Sequence, residues 1–277
     1  MFRRKLQEAP LALTFSDVVL LPSHTSVEPR EVDLHTAFST GVRLNIPIVS
    51  SPMDTVTGHM LAAELARLGG IGVLHRNMGV ERQVSEAVRV KEADPGGTHG
   101  AFKPLLDEEG RLRVAAAISP FDAERAEKLD RHVDVLVSDV AHFHNSRVMD
   151  AARRLVKRIG VDFIAGNIGT YEAALDVVSK IEDVAGLRVG VASGSICSTG
   201  EVTGVAAPTL YAVASVAGAL HERGARIPVI ADGGIRGPGD GAKALAAGAS
   251  SLMLGYVLAG TDEASGPLVI VENRCFK

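Results

Sequence analysis

The stretch that decides the fold is Ile227-Pro228-Val229-Ile230-Ala231-Asp232-Gly233-Gly234, an apolar run that ends in a carboxylate and two glycines. The run is continuously apolar rather than alternating, which is typical of a parallel strand buried on both faces. A helix-like segment follows at residues 238–247. This part of the chain therefore predicts a strand, a polar turn and a helix that returns over the sheet.

The same pattern recurs along the chain and predicts an α/β fold. Strands that alternate with helices indicate a parallel sheet, and eight such strands in 277 residues fit one TIM (β/α)8 barrel. The predicted strands cover residues 45–50, 71–74, 113–118, 134–138, 161–165, 188–191, 227–231 and 250–255. The predicted helices cover residues 58–68, 121–129, 145–159, 171–184, 209–223 and 238–247.

We expect residues 1–277 to form a single barrel domain, with two departures from the pattern. Residues 94–102 are rich in glycine and proline and predict a loop, an ordinary place for an inserted domain. After residue 255, segments 268–271 and 274–276 predict a short hairpin rather than a helix. The last barrel helix is therefore expected to be missing.

Composition excludes several classes of protein. Apolar residues make up 46% of the chain and charged residues 22%, close to the globular average. A net charge of −4 argues against nucleic acid as a partner. No apolar stretch reaches the roughly 18 residues of a membrane span, and two cysteines exclude a disulfide scaffold and suit a reducing cytoplasm.

Polar and nucleophilic side chains concentrate at the predicted carboxyl ends of the strands. In a TIM barrel these ends form the rim that carries the active site. The opposite ends offer mostly ordinary turns, so the asymmetry indicates an enzyme. The rim side chains are Ser50, Ser51, Met53, Asp54, His75, Arg76, Asn77, Asp139, His142, His144, Asn167, Ser193, Ser195, Cys197, Ser198, Thr199, Asp232 and Tyr256.

The segment Gly194-Ser195-Ile196-Cys197-Ser198-Thr199 is the sharpest chemical signal in the chain. A cysteine in a loop of this kind has backbone N–H groups around it, which can hold an anion or favour a thiolate. The alternative is a small buried apolar residue, the commonest role of a free cysteine. Because glycine and hydroxyl side chains flank Cys197, we expect a nucleophile.

Two glycine turns follow the last two predicted strands, at Asp232-Gly233-Gly234 and Gly255-Tyr256. TIM barrels commonly bind phosphate at this place through glycine N–H groups. A carboxylate beside such a site can accept hydrogen bonds from ribose hydroxyls. The alternative is two tight turns without a ligand.

Asp139 and two histidines follow the fourth predicted strand. Asp139 can accept from a second ribose, and the alternative is an N-cap for the helix that begins near Asn145. His142 and His144 lie two residues apart, which suits metal chelation, but no third ligand is evident in the sequence. We therefore expect these histidines to be solvated or to support residues that contact a ligand, without binding it themselves.

These rim residues resemble the inosine-5′-monophosphate (IMP) dehydrogenase family, of which GMP reductase is a close relative. The resemblance runs from Leu13 to the end of the chain. The motifs that carry it are Leu13-Thr14-Phe15-Ser16-Asp17-Val18, Ser50-Ser51-Pro52-Met53-Asp54-Thr55-Val56-Thr57, Gly69-Gly70-Ile71-Gly72-Val73-Leu74-His75-Arg76-Asn77-Met78, Gly194-Ser195-Ile196-Cys197-Ser198-Thr199, Ile230-Ala231-Asp232-Gly233-Gly234-Ile235 and Leu258-Ala259-Gly260-Thr261.

The resemblance implies a homotetrameric barrel that oxidises IMP to XMP with NAD⁺, in guanine nucleotide biosynthesis. It implies that Cys197 attacks purine C2 and forms a covalent thioimidate, with the Thr199 hydroxyl near the reacting centre. The implied IMP-binding residues are Ser51, Met53, Ser195, Asp232, Gly233, Gly234, Gly255 and Tyr256. The implied cofactor-binding residues are Asp139, Asn167 and Gly190, and the backbone carbonyls implied to bind K⁺ are those of Ala192, Gly194 and Cys197.

The chain also departs from the family pattern. The family usually carries a pair of CBS modules where this chain has residues 94–102, so nucleotide regulation through those modules is expected to be absent. The family's mobile flap, with an Arg–Tyr pair that activates water, would follow residue 277, so we expect hydrolysis to be impaired if the chain ends there. Ala192 replaces a glycine, Gly200 replaces a basic or amide residue, and Tyr256 stands beside the phosphate where a small residue is common.

Two alternatives to IMP dehydrogenase therefore stay open. GMP reductase, which converts GMP to IMP with NADPH, is favoured by the lack of CBS modules. A catalytically silent paralogue that binds purine nucleotides is favoured by the lack of a flap and by Tyr256. Glu201 and the glycine-rich run at residues 69–77 favour the dehydrogenase.

Overall fold

Eight parallel strands close into a barrel, as the sequence predicts. The computed structural model describes residues 2–98, 102–271 and 274–276. A two-stranded antiparallel hairpin, β1 (Thr36–Ala37) and β2 (Arg43–Leu44), precedes the barrel. The barrel strands are β3 (Ile48–Ser50), β4 (Ile71–Leu74), β5 (Ala115–Ile118), β6 (Val135–Ser138), β7 (Asp162–Ile168), β8 (Val184–Val189), β9 (Val229–Asp232) and β10 (Ser251–Leu254). Because β10 pairs in parallel with both β9 and β3, the sheet has no free edge.

Helices connect most of the strands and pack on the outside of the barrel. Three of them begin at a capping side chain, Asp122, Asn145 or Thr170, that accepts a hydrogen bond from a first-turn N–H. The helices are α1 (Phe2–Gln7), α2 (His59–Arg67), α3 (Val80–Glu92), α4 (Ala123–Leu129), α5 (Ser146–Leu155), α6 (Tyr171–Lys180), α7 (Thr199–Thr203), α8 (Thr209–Arg223) and α9 (Pro238–Ala246).

Helix α3 is absent from the sequence-based prediction. The helix buries a polar pair, Gln83 and Glu86, beside Ala87 and Val90, so its buried face lacks the apolar periodicity of an amphipathic helix. The Gln83 side chain is satisfied by donating to the carbonyl oxygens of Leu74 and Ala117, at 3.3 and 2.9 Å.

The predicted sixth strand at residues 188–191 is wrong in its bounds. The structure has β8 at Val184–Val189, and α6 ends at Lys180 rather than at residue 184. Gly186 lies outside the predicted strand, but here it permits close packing inside β8. A Cβ at this position would lie 2.9 Å from Ile164 Cγ1 and 3.1 Å from the Phe38 carbonyl oxygen.

The core has two layers. One fills the barrel, where Val49, Ile71 and Met253 belong to the same buried cluster as residues of the β1–β2 hairpin. Phe38 and Leu44 of that hairpin are fully buried, so the hairpin closes the N-terminal end of the barrel. The second, larger layer lies between the strands and the surrounding helices. With the N-terminal end closed, the carboxyl ends of the strands form the open rim.

The predicted C-terminal hairpin is confirmed as β11 (Val269–Val271) paired with β12 (Arg274–Phe276). Within the described residues, no helix follows β10. Of the predicted loop at 94–102, residues 99–101 lie outside the described residues. None of the helices in the described part of the chain is long and apolar enough to cross a membrane.

Candidate active site

One cavity of about 580 Å³ opens at the rim between the ends of β3, β9 and β10 and the loop after β8. Its lining brings together every residue that the sequence assigns to the substrate. These are Ser51, Met53, Ser195, Asp232, Gly233, Gly234, Gly255 and Tyr256. Residues separated by more than two hundred positions in the chain thus form one pocket, and their substrate contacts stay a prediction.

Asp232 ends β9 and presents its carboxylate to this cavity. Its Oδ2 accepts hydrogen bonds from Asn167 Nδ2 at 2.7 Å and from Arg188 Nε at 2.8 Å. No described residue donates to its Oδ1. The carboxylate is therefore held by one oxygen, and the other is available to a ligand.

Close packing and hydrogen bonds also hold the backbone of Asp232 in place. Gly190 has a φ of +142°, and a Cβ there would lie 1.9 Å from the Asp232 carbonyl oxygen. The same carbonyl accepts from Thr209 Oγ1 at 3.1 Å and from Ser193 Oγ at 3.3 Å. Gly190, predicted to contact the cofactor, is therefore also required for the close approach of these two strand ends. Thr209 was not predicted from the sequence.

An ionic network continues from Asp232 to Asp139 across the rim. Arg188 NH1 donates to Asp139 Oδ1 at 3.0 Å, and Arg76 Nε donates to Asp139 Oδ2 at 3.1 Å. The Arg188 side chain is 8% exposed. Burial by itself lowers the pKa of Arg188, but the two carboxylates outweigh it and the pKa is raised.

Sequence analysis did not assign a role to Arg188, although the sequence contains a signal for it. A charged side chain inside an otherwise apolar barrel strand is costly unless it is paired. Arg188 lies in such a run, between Leu187 and Val189. Because it is near the carboxyl end of its strand, the carboxylates that pair with it are expected at the rim of the barrel.

Asp139 is not the N-cap of the following helix. Asn145 takes that role, because its side-chain oxygen accepts from the backbone N–H groups of Arg147 and Val148. Asp139 instead lies directly after β6, about one-third exposed, with its carboxylate in the rim network. Asn167, the other polar residue predicted for the cofactor pocket, bonds to Asp232 and to the Gly190 carbonyl.

Cys197 is a free, solvent-exposed thiol in the turn that borders the cavity. The alternative of a small buried residue is therefore wrong. Its backbone N–H donates to the Gly194 carbonyl at 3.1 Å, which closes the turn. Neighbouring Ser195 and Ile196 line the cavity, and Thr199 begins α7 directly after the turn.

The three residues whose carbonyls are predicted to bind K⁺ lie in or beside this turn. Ala192 adopts a left-handed φ of +56°, uncommon for a residue with a side chain. The Gly194 carbonyl accepts the Cys197 N–H and keeps a second lone pair. Their use as ligands stays a prediction.

Two further pairs of polar side chains form at the rim, and one buried histidine lacks a partner on one ring nitrogen within the described part of the chain. His144 Nε2 lies 3.0 Å from Asp176 Oδ2, and Asn77 donates to Asp54 at 2.7 Å. His75 is 8% exposed and its Nδ1 has no partner among the described residues. Burial lowers the pKa of His75, which favours the neutral ring.

Comparison with known proteins agrees with this geometry. Residues 12–277 match the model of the IMP dehydrogenase / GMP reductase domain. The chain belongs to this family.

Several relatives are similar along nearly the whole chain. The inosine-5′-monophosphate dehydrogenase of Korarchaeum cryptofilum is 40% identical, over 99% of this chain and 79% of the relative. The enzyme of that name from Cryptosporidium parvum is also 40% identical, over 96% of this chain and 72% of the relative. The one from Methanocaldococcus jannaschii is 36% identical, over 100% and 77%.

Proposed function

We propose that this protein is an IMP dehydrogenase, which oxidises IMP to XMP with NAD⁺ in guanine nucleotide biosynthesis. The observation that carries the proposal is the rim cavity, which is lined by the Asp232 carboxylate and the glycine turns and bordered by the turn that carries the exposed Cys197 thiol. Membership of the family and relatives named inosine-5′-monophosphate dehydrogenase support it.

Each part of the mononucleotide has a counterpart in the cavity. The free Oδ1 of Asp232 accepts from the ribose hydroxyls, and the backbone of Gly233, Gly234 and Gly255 receives the phosphate. Ser195 and the exposed Tyr256 add hydroxyl donors at the same end. Ser51 and Met53 face the base. The cavity combines an apolar lining with a few polar groups, and these polar groups fix the orientation of a bound nucleotide. In this orientation the base points toward the Cys197 turn.

Cys197 acts as the nucleophile toward C2 of the hypoxanthine ring. The Cys197 thiol loses its proton, and Sγ bonds to C2 as the electron pair of the ring C2=N bond moves onto nitrogen. The hydrogen on C2 then leaves with its electron pair as the C=N bond re-forms, so that the carbon is oxidised. The product is a thioimidate, whose C–S bond breaks when water attacks C2, giving XMP and the free thiol. Covalent attachment replaces one difficult displacement by two easier steps. Thr199 places a hydroxyl near this centre.

The residues at the rim fit the two groups that the family implies. NAD⁺, when bound, supplies the acceptor for the hydride that leaves C2. Asp139 has a rim-facing carboxylate suited to the hydroxyls of the nicotinamide ribose, and Asn167 and Gly190 lie between it and the substrate pocket. The carbonyls of Ala192, Gly194 and Cys197 would hold K⁺, which would stabilise the turn that carries the nucleophile.

The experiment is to mix the protein with IMP and NAD⁺ and follow the absorbance of reduced nicotinamide. Cys197→Ala is expected to abolish the signal while IMP affinity stays within about tenfold, because ribose and phosphate contacts persist. The matched control is Cys275→Ala, which removes the other cysteine and is expected to keep the signal.

Other outcomes separate the alternatives. Nicotinamide reduction by Cys197→Ala would remove the nucleophile assignment. IMP binding without any reduction by the unmodified protein would favour a silent paralogue, and consumption of NADPH with GMP would favour GMP reductase. A single burst without turnover would mean that the oxidation occurs and that hydrolysis limits the cycle.

The assembly and compartment remain part of the proposal. We expect a homotetramer, measurable by light scattering, and a monomer in solution would contradict it. A cytoplasmic location is supported by the free exposed thiol, which suits a reducing environment.

A further inference from the structure

Arg188 joins two carboxylates that the proposed function gives to two different ligands. Its Nε lies 2.8 Å from Asp232 Oδ2, and its NH1 lies 3.0 Å from Asp139 Oδ1. Asp232 belongs to the substrate cavity, whereas Asp139 lies beyond its lining, after a different strand. One buried guanidinium therefore spans both ribose subsites.

We propose that Arg188 is a positioning residue that makes the binding of IMP and NAD⁺ cooperative by orienting both ribose carboxylates as one unit. The inference rests on the proposed function. The inference goes beyond that function because it gives Arg188 a role without requiring that either ligand contacts this residue.

The planar guanidinium is what makes the coupling possible. Its donors are fixed in one fork, so the orientation of one carboxylate sets the orientation of the other. A ligand that orders Asp232 also orders Arg188 and, through it, Asp139. The second ligand then binds to a carboxylate that is already in place and loses less conformational freedom. Thermodynamic linkage makes the effect equal in both directions.

The two ends of the network differ in how firmly they are held. Asn167 secures Asp232 in the interior, while Asp139 is held on its outer side only by Arg76, a side chain that is 41% exposed. Exposed ion pairs contribute little free energy. A ribose hydroxyl can therefore replace Arg76 at Asp139 Oδ2, and the buried bond to Arg188 persists.

The test measures IMP affinity by calorimetry with and without saturating NAD⁺, in a Cys197→Ala background that prevents the reaction. We expect NAD⁺ to tighten IMP binding about five- to tenfold in this parent protein. Arg188→Lys keeps the charge but cannot span both carboxylates. In that variant, NAD⁺ is expected to tighten IMP binding by less than about twofold.

The matched control is Arg113→Lys. Arg113 also bridges two carboxylates, Asp134 and Glu108, at 3.2 and 2.8 Å, but it precedes β5 at the N-terminal end of the barrel. The Arg113→Lys variant is expected to lose stability and to keep the coupling factor, which is the factor by which NAD⁺ tightens IMP binding. A loss of the factor in both variants would overturn the proposal, since a general loosening of the fold would then explain it.

The outcomes distinguish this inference from the proposed function. A coupling factor that survives Arg188→Lys, or one near unity in the parent, overturns the inference and leaves the function intact. Failure of the parent to bind IMP overturns both.

If Arg188→Lys does not fold, Asp139→Asn replaces it. Without its second carboxylate, the guanidinium is no longer held in one orientation, and the Asp232 carboxylate that it positions is less well ordered for the ribose. IMP binding without NAD⁺ should then weaken by about threefold or more, a change of the size expected for coupled sites. Unchanged IMP affinity in this variant would overturn the inference.

Discussion

In the proposed function, substrate recognition depends on Asp232, because the described residues bond to only one of its carboxylate oxygens. Asn167 and Arg188 fix Oδ2, so Oδ1 enters the cavity at a set angle. The desolvation of this carboxylate is already compensated inside the fold. In the proposed function, a ribose diol would gain two charge-assisted hydrogen bonds to a group whose motion the fold already restricts, and binding would remove the motion that remains.

We expect Asp232→Ala to weaken IMP binding by about 2–4 kcal/mol, the contribution of two hydrogen bonds to a charged group. Titration calorimetry measures the change directly. Asp150→Ala is the control, because Asp150 is an exposed carboxylate on α5, remote from the rim. IMP affinity that is equal in the two variants would mean that Asp232 does not hold the ribose.

At the scale of the elements, Gly186 shows how strand β8 is positioned. Its missing side chain lets β8 approach Ile164 of β7 and the backbone of Phe38 in the hairpin below. Hydrogen bonding at the same place, from Thr40 N–H to the Ala185 carbonyl at 2.8 Å, joins the hairpin to this strand. The position of Arg188, two residues further on, depends on this contact.

Gly186→Ala is expected to lower the free energy of unfolding by about 1–3 kcal/mol, because the added methyl overpacks a rigid site. Gly218→Ala is the matched control. Gly218 lies within α8 and a Cβ there would meet only open space, so alanine should raise stability by about 0.5–1 kcal/mol. Urea denaturation measures both, and equal effects in the two variants would contradict the packing argument.

Local patterns predict the elements and the rim better than they predict the connections between them. Continuous apolar runs locate most strands, since burial on both faces leaves a clear signature, and the residues after the first, seventh and eighth runs line the rim cavity. Helix α3 was missed because tertiary contacts satisfy its buried Gln83. The network through Arg188 was also missed, because a local pattern cannot reveal which carboxylates meet across a closed barrel.

Charges at the two ends of the molecule serve different purposes. At the N-terminal end, Lys91 Nζ lies 2.9 Å from Asp107 and 2.7 Å from Asp134, and all three side chains are largely buried. Burial raises the pKa of Asp107, but the backbone N–H of Arg111 and the Lys91 ammonium outweigh it and lower the pKa from 3.8 to about 2. This cluster stabilises the fold and lies far from the substrate cavity.

The stability from Asp107 should depend on pH. Because its folded pKa lies below the unfolded value, its contribution is complete above a pH of 3.8 and is lost as the pH falls through about 2. Asp107→Asn is therefore expected to lower the free energy of unfolding by about 1–2 kcal/mol at neutral pH, and by less in acid. Denaturant unfolding at neutral and at acidic pH measures the loss of stability. A loss of the same size at both would mean that it comes from packing and not from the charge of Asp107.

Ligand binding at the opposite end should stabilise the whole barrel, because the cavity is formed by strand ends that separate on unfolding. At an IMP concentration one hundred times its Kd, mass action adds about 2.7 kcal/mol, which for a domain of this size raises Tm by roughly 5–10 °C.

Inosine, which lacks the phosphate, should give a smaller rise at the same concentration, and Asp232→Ala should reduce the response to IMP. An equal rise with inosine would mean that the glycine turns do not bind phosphate, whereas a full rise in Asp232→Ala would mean that binding does not depend on the ribose carboxylate. Differential scanning fluorimetry thus separates the contributions of the two ends of the nucleotide through the stability of the whole molecule.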